Sequence, residues 1–346
     1  MKTLGIIGGG QLGRMICFYA QMMGLRTVVF SDQKDSPASF VTNQTIVGDY
    51  LDKVALKKFC DLVDFATFEF ENIPLETADF VAQNSHLYPN VETLKITQNR
   101  ILEKNFLNEN QIKTAEYKVI NSFDDLKKGL EIFKKAILKT AIMGYDGKGQ
   151  FVLEDIESAQ KVYENVKNYP LILEKFCRFD SEASIIVARS ESGEIKVYEP
   201  LTNVHKNGIL ERSFYPARLS LPQKIKTQKT ATKIVEKLNL VGIMAVEFFI
   251  VDNKILVNEL APRPHNSGHF SMDASITSQF EQLIRAITGM ALGDTRFHSQ
   301  GQMINLIGND VNDLEKYKNH PRTKIHLYGK GEAKDGRKMG HVNILK

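Results

Sequence analysis

Three groups of residues in this chain have the types and spacing to do chemistry. The first is Gly8, Gly10 and Gly13, a G-x-G-x-x-G spacing set between an apolar run and a helical pattern, with Asp32 closing the next apolar run. Glycines let the backbone turn tightly, and the helix that follows presents amides and the positive end of its dipole to an anion. A dinucleotide pyrophosphate suits such a turn and so does a phosphate monoester. Close packing of strand on helix explains the glycines equally well. The second group is Lys139, five residues ahead of Gly144, Tyr145, Asp146, Gly147, Lys148, Gly149 and Gln150. This is not a Walker loop, because Gly149 follows Lys148 where Ser or Thr is required. Its glycines still let amides fold over phosphates, and the two lysines add point charges. A plain hairpin turn would explain the glycines but leave Lys139, Tyr145 and Asp146 as coincidences.

The third group is Glu247 and Glu259, on the two arms of a hairpin with Asp252 and Asn253 at its tip. A two-residue tip sets Glu247 opposite Asn258, and a three-residue loop sets it opposite Glu259, so either register gathers oxygen ligands at one point. Carboxylates facing each other among Val246, Phe248, Phe249, Leu256 and Val257 repel unless a cation lies between them. Magnesium takes such hard oxygens together with nucleotide phosphates. Glu174, followed by Lys175, Phe176 and Cys177, ends a strand pattern where side chain and backbone can meet an adenine and ribose; an ordinary strand-end charge is the plainer account. His265 and His269 have the i, i+4 spacing of a zinc pair, but Pro264 and Gly268 make a helix there doubtful and no third ligand is evident.

The elements that must position these groups follow from the hydrophobic periodicity. Up to about residue 95, short apolar runs at 4–7, 27–30, 44–47, 65–70 and 86–88 alternate with helical patterns, the rhythm of a parallel sheet covered on both faces. A helical stretch over 91–108 follows. From Thr114 the pattern becomes a small α+β unit: a helix opened by Ser122 and Asp125 and running to 135, strands at 136–139 and 151–154, and the glycine loop between them. Runs at 171–176, 183–189 and 195–199 read as one antiparallel sheet, a helix is expected over 225–238, and short strands with many basic residues fill 300–346.

At 346 residues the chain has room for two or three cores. Its 42% hydrophobic and 25% charged residues are ordinary for a globular protein, and no run approaches the about 18 apolar residues that a membrane span needs. Met1-Lys2 leads straight into a strand pattern without a small-residue cleavage site, so the expected compartment is the cytoplasm. The three cysteines, Cys17, Cys60 and Cys177, are far apart and in apolar surroundings, which argues for buried thiols over a disulfide framework or zinc site. A net charge of +4 arises from 45 basic and 41 acidic residues mixed along the chain, without the basic stripe that nucleic acid would require. Small anionic substrates suit it better.

Seven segments, in order across nearly the whole chain, resemble one family: Gly8 to Met15, Glu69-Phe70-Glu71-Asn72, Gln98-Asn99-Arg100, Gly144 to Gln150, Asn258 to His269, Ser278-Gln279-Phe280-Glu281 and Gly336 to His341. The family is the N5-carboxyaminoimidazole ribonucleotide synthetases of purine biosynthesis, within the ATP-grasp superfamily. Asn99 stands where an acid is common and Lys148 where Arg is common; neither departure removes a charge that phosphate needs. The resemblance implies an α/β and α+β architecture: a Rossmann-like domain at 1–95, a connector at 96–113, an ATP-grasp lid at 114–173, a large ATP-grasp subdomain with a magnesium site at 174–295, and a C-terminal β segment at 296–346. It implies ATP-dependent carboxylation of 5-aminoimidazole ribonucleotide by bicarbonate through carboxyphosphate, with ATP as substrate and Mg2+ as cofactor.

Carried over residue by residue, the resemblance gives ATP the contacts Arg100, Lys139, Gly144 to Gln150, Glu174, Lys175, Phe176, Cys177, Glu182, His205, Asn258 and Glu259. Glu247 and Glu259 hold the metal, and Arg263 and His265 position bicarbonate. Tyr145 and Asp146 approach the aminoimidazole, with Asp146 accepting from its amine. Gly10, Gln11, Leu12, Glu71, Lys330 and Arg337 complete the riboside site. A homodimer is expected, with no nucleic-acid or membrane partner. The competing readings are another ATP-grasp carboxylate–amine ligase, a dinucleotide oxidoreductase built on Gly8 to Gly13, and a nucleotide-binding regulator without turnover.

Overall fold

The computed structural model describes residues 1–142, 144 and 149–346. The apolar runs of the first hundred residues form a five-stranded parallel sheet in the order Gln44–Val47, Arg26–Ser31, Thr3–Ile7, Phe65–Phe68, His86–Leu87. Helices Gln11–Met22, Lys53–Cys60 and Leu75–Asn84 cover it, so its strands carry apolar residues on both faces and their runs are continuous. From the central strand Thr3–Ile7 the chain moves outward one way to Arg26–Ser31 and later the other way to Phe65–Phe68. Open parallel sheets take their ligands in the crevice at such a switch of direction, beyond the strands' carboxyl ends. Gly8 to Gln11 and Glu69 to Asn72 leave their strands at that crevice.

The predicted 91–108 helix is two helices, Val91–Gln98 and Arg100–Glu109, and the break has a local cause. Asn99 turns extended, and its side chain accepts from the amides of Ile101 and Leu102 at 2.9 and 3.3 Å, capping the second helix. Beyond it lies a four-stranded antiparallel sheet, Tyr117–Ile120, Leu171–Lys175, Ala136–Thr140, Gln150–Leu153, backed by helices Phe123–Phe133 and Ile156–Val166 over their own core. Ser122 caps the first of these helices through the Asp125 amide at 3.1 Å. Here the structure corrects one expectation: Leu171–Lys175 pairs with strands of this small sheet and not with the strand Ser181–Arg189.

The third sheet has nine strands. Its path runs Lys254–Ala261, Gly242–Val251, Ser181–Arg189, Leu201–Lys206, Ile209–Tyr215, Gly301–Ile307, Lys338–Leu345, Thr323–Leu327, with Ile195–Val197 paired on Ser181–Arg189. The basic C-terminal stretch therefore does not stand as a separate sheet; Gly301–Ile307 pairs with Ile209–Tyr215 and continues the large one. Leu221–Lys237 and Gln279–Thr288 pack on this sheet, and Gln279–Thr288 also meets Gln11–Met22, joining two sheets through one apolar core. No helix among the described residues is long and apolar enough to cross a membrane. Cys17 and Cys60 are buried as expected, but Cys177 is only partly covered, because it follows the last strand of the small sheet into the cleft.

Candidate active site

The cleft between the three sheets is a cavity of about 1160 Å³, and every wall comes from a different element. The magnesium-type carboxylates meet at a bulge. Asp252 and Asn253 both take positive φ, 46° and 64°, so the tip is the two-residue turn that fits strand twist, and it sets Val251 opposite Lys254. Farther along, Val246 faces Leu260 and Phe248 faces Val257, leaving Glu247 alone opposite the pair Asn258 and Glu259. Both registers considered from sequence are realised, one on each side of the bulge, and three oxygen-bearing side chains converge on the cavity. Burial, and then Glu259, push the Glu247 carboxyl up to about 7. A buried carboxylate lifted by a like-charged neighbour is what a cation site looks like without its cation, and the donor set suits magnesium. Among the described residues no group of three or more His, Cys, Asp or Glu gathers as a metal site, so phosphate oxygens would have to complete the coordination.

Glu174 and Lys139 come from adjacent strands of the small sheet, two residues apart in register and so on the same face. Lys139 Nζ donates to Glu174 Oε2 at 3.0 Å, and both side chains are buried. Burial would raise the Glu174 carboxyl, but Lys139 and Lys104 together bring it down to about 2. Arg100, first residue of the helix capped by Asn99, reaches Glu259 at 3.5 Å and ties the connector to the bulge. Glu182 and His205 sit on neighbouring strands, Oε2 to Nδ1 2.8 Å, and although burial lowers the imidazole's value, Glu182, Glu247 and Glu259 together raise it more.

On the opposite wall Arg263 pairs with Glu71 through two contacts, Nη2 to Oε1 at 2.8 Å and Nε to Oε2. Burial alone would push Glu71 up, yet the guanidinium holds it below the ordinary range. His265 caps the short helix Asn266–Phe270, bonds Ser267 Oγ through Nδ1 at 2.9 Å, and brings Nε2 to 3.5 Å from Glu247. Burial and nearby Arg263 push it well below its usual value, so it is neutral. His269 also borders the cavity, but its ring is held in a buried stack with His341, centroids 4.6 Å apart.

The glycine turn holds an occupant that the spacing did not reveal. Glu69 Oε1 accepts from the Gly10 amide at 2.6 Å and its Oε2 from the Gly13 amide at 3.1 Å. A Cβ on Gly10 would lie 2.4 Å from Glu69 Oε1, which explains that glycine. An internal carboxylate therefore sits where a dinucleotide would put its pyrophosphate, and repulsion between the two anions opposes the oxidoreductase reading. Gln11 and Leu12 remain on the cavity wall. The signal for Glu69 was its place: the end of the strand beside the glycine strand, at the sheet's switch of direction.

Among the sequence-predicted residues, Gln11, Leu12, Glu71, Arg100, Lys139, Gly144, Gln150, Glu174, Lys175, Phe176, Cys177, Glu182, His205, Glu247, Asn258, Glu259, Arg263 and His265 line this one cavity. Gly10 reaches it through Glu69. Gly149 lies behind it, at positive φ against Thr140. Tyr145, Asp146, Gly147 and Lys148 fall outside the described residues. The structure departs from expectation at the C-terminal end. Arg337 donates to the Glu332 carbonyl at 3.1 Å, away from the wall, and the next residue, Lys338, lines the cavity. Lys330 lies off the wall, its Nζ 5.7 Å from the centre of the Tyr328 ring, though its charge is felt by Glu69. Sequence reasoning also passed over Glu103 and the stacked rings of Phe179 and Phe249, 4.7 Å apart, which line the same space.

With this geometry in hand, the comparisons with known proteins fall into line along the chain. Residues 1–98 match the ribonucleotide synthetase preATP-grasp domain, 105–280 the ATP-grasp domain, and 302–346 the phosphoribosylaminoimidazole carboxylase C-terminal domain. An N5-carboxyaminoimidazole ribonucleotide synthase of Brucella melitensis is 41% identical over 349 residues, spanning 100% of this chain and 96% of that protein. An ADP complex of an N5-carboxyaminoimidazole ribonucleotide synthetase superposes with a TM-score of 0.96 at 40% identity, covering 100% of this chain and 92% of the other. The Aspergillus clavatus N5-carboxyaminoimidazole synthase, crystallised with ADP and 5-aminoimidazole ribonucleotide, gives 0.93 at 28% identity, covering 100% and 94%.

Proposed function

The chain belongs to the N5-carboxyaminoimidazole ribonucleotide synthase family of ATP-grasp ligases, and from that membership we infer how its cleft works. The enzyme is an ATP-dependent ligase that converts 5-aminoimidazole ribonucleotide to its N5-carboxyamino derivative. A bicarbonate oxygen attacks the γ-phosphorus of ATP, ADP leaves, and carboxyphosphate forms. The exocyclic amine then takes the carboxyl carbon, phosphate departs and the amine loses a proton.

The observation that carries this reading is the convergence of the carboxylate bulge, the Lys139–Glu174 pair and the Arg263–Glu71 pair on one cavity. Lys139 and Arg100 neutralise the triphosphate, while Glu174, Lys175, Phe176 and Cys177 border the base and Glu182 with His205 meets the nucleoside. Glu247, Asn258 and Glu259 hold magnesium, which when bound draws charge from the transferring phosphoryl oxygens. Arg263 receives the bicarbonate, and neutral His265 offers it a hydrogen bond without adding charge. The segment 144–150 closes over the phosphates, bringing Tyr145 and Asp146 to the aminoimidazole and keeping water from an intermediate that hydrolyses readily. Gln11, Leu12 and Lys338 on the wall take the ribose phosphate, and Lys330 and Arg337, which stand off the wall, would have to swing in to join them. A cytoplasmic homodimer is the working form. The test is ADP release: it should require riboside and bicarbonate together, and release with bicarbonate and a different amine, or with formate, would point to another ATP-grasp ligase.

A further inference from the structure

Arg100, Glu103 and Lys104 fall on one face of the helix Arg100–Glu109, since i, i+3 and i+4 are neighbours on a helix. Arg100 and Glu103 reach the cavity, but Lys104 stands one layer behind it. Lys104 is 1% exposed, and its ammonium has no hydrogen bond among the described residues. It lies 3.6 Å from Glu174 Oε2, the same oxygen that Lys139 holds at 3.0 Å. Glu174 Oε1 is likewise buried and without a hydrogen-bond partner. One carboxylate oxygen thus serves two lysines while the other serves none. Burying an ammonium without hydrogen bonds is expensive, so an arrangement that keeps one calls for a second state in which it is used.

The strand Ala136–Thr140 sets Lys139 on the cavity wall. A triphosphate arriving there attracts Lys139 away from Glu174, and Glu174 would then be a buried carboxylate without a cation. We propose that Lys104 is a positioning residue that takes over Glu174 when ATP binds, freeing Lys139 for the phosphates and aiming Glu174 Oε1 at a donor group of the nucleoside. The shift required is small, from 3.6 Å to the about 2.8 Å of a charge-assisted hydrogen bond. Because Lys104 is absent from the wall, it acts through Glu174 and touches no substrate.

This rests on the proposed function, and wild-type ADP release dependent on riboside and bicarbonate is the control that tests that reading by itself. With the control in place, K104M should raise the KM for ATP by about tenfold or more and leave the riboside KM within about twofold, and K104R should recover most of the loss. E174Q and K104M should not add: the double variant should be no worse than the poorer single one. An unchanged ATP KM in K104M, an equal rise in both KM values, or additive losses would overturn the proposal. If K104M does not fold, the double variant, which removes both buried charges, is compared with E174Q. Equal ATP KM values support the handover, and a further rise in the double variant sinks it.

Discussion

Glu247 is kept where a carboxylate is uncomfortable, and the discomfort is informative. Its carboxyl is lifted to about 7 by burial and by Glu259, so the site gives up stability to keep two acids together. The variant E247Q should therefore unfold at a higher temperature than wild type when assayed with a chelator, yet lose turnover by about 100-fold or more, because metal charge at the phosphoryl group contributes several kcal/mol. A lower melting temperature together with retained turnover would remove Glu247 from the metal site. Arg263 presents the reverse case. It is paired with a partly buried carboxylate, so R263A strands Glu71 and should cost roughly 1 to 3 kcal/mol in urea unfolding as well as coupled turnover, with ADP binding by calorimetry largely kept. Adding E71Q to R263A should restore most of the stability and none of the turnover. Recovery of activity in that double variant would show that the guanidinium serves only to hold Glu71.

At the scale of elements, much was legible wherever the cause is local. Asn99 has a helix cap's residue type, and its capping bonds split one expected helix in two and set Arg100 at the first turn. N99D should leave stability within a few tenths of a kcal/mol, whereas N99A should lose about 1 kcal/mol and weaken ATP binding with it; calorimetry on both variants separates the cap from the charge. The hairpin tip was legible from Asp252-Asn253, but the bulge that gives Glu247 two partners was not, because it depends on how Gly242–Val251 is held by Ser181–Arg189 on its other edge. Long-range pairing also hid the place of Leu171–Lys175. Its continuous apolar run fits either antiparallel sheet, and contact with Tyr117–Ile120 and Ala136–Thr140 assigns it. At Arg337 and Lys338 one residue of phase decides which side chain faces the cavity, and a run of basic residues carries no phase.

Across the whole molecule, the parallel sheet and the other strands of the small sheet could be read from hydrophobic periodicity and the glycine turn from its spacing, while the buried histidines could not. His265, His269 and His341 look like polar surface or ligand residues in sequence, yet His269 and His341 are buried, His265 is largely covered on the cavity wall, and all three are held neutral, His269 with its value pushed down to about 3 by burial. A group whose folded value lies below its unfolded one of about 6.5 binds fewer protons in the fold, so its share of stability is present above that pH and lost as pH falls toward 3. Replacing His269 by Asn should therefore reduce the drop in unfolding free energy between pH 7 and pH 5 by about 2 kcal/mol. Parallel pH curves for wild type and variant in urea titrations would show that His269 is not the group responsible.

The carboxylate lodged in the glycine turn has a consequence for selective inhibition. Proteins that clasp a dinucleotide at this spacing offer bare amides to its pyrophosphate, so such a turn favours a ligand with an acidic head. Here Glu69 presents an acceptor instead. A nucleoside mimic whose head carries an N–H donor in place of a second acid should favour this enzyme and be rejected by oxidoreductases sharing the same backbone curve. The side chain that fills this turn is thereby a handle for discriminating it pharmacologically from a turn of bare amides.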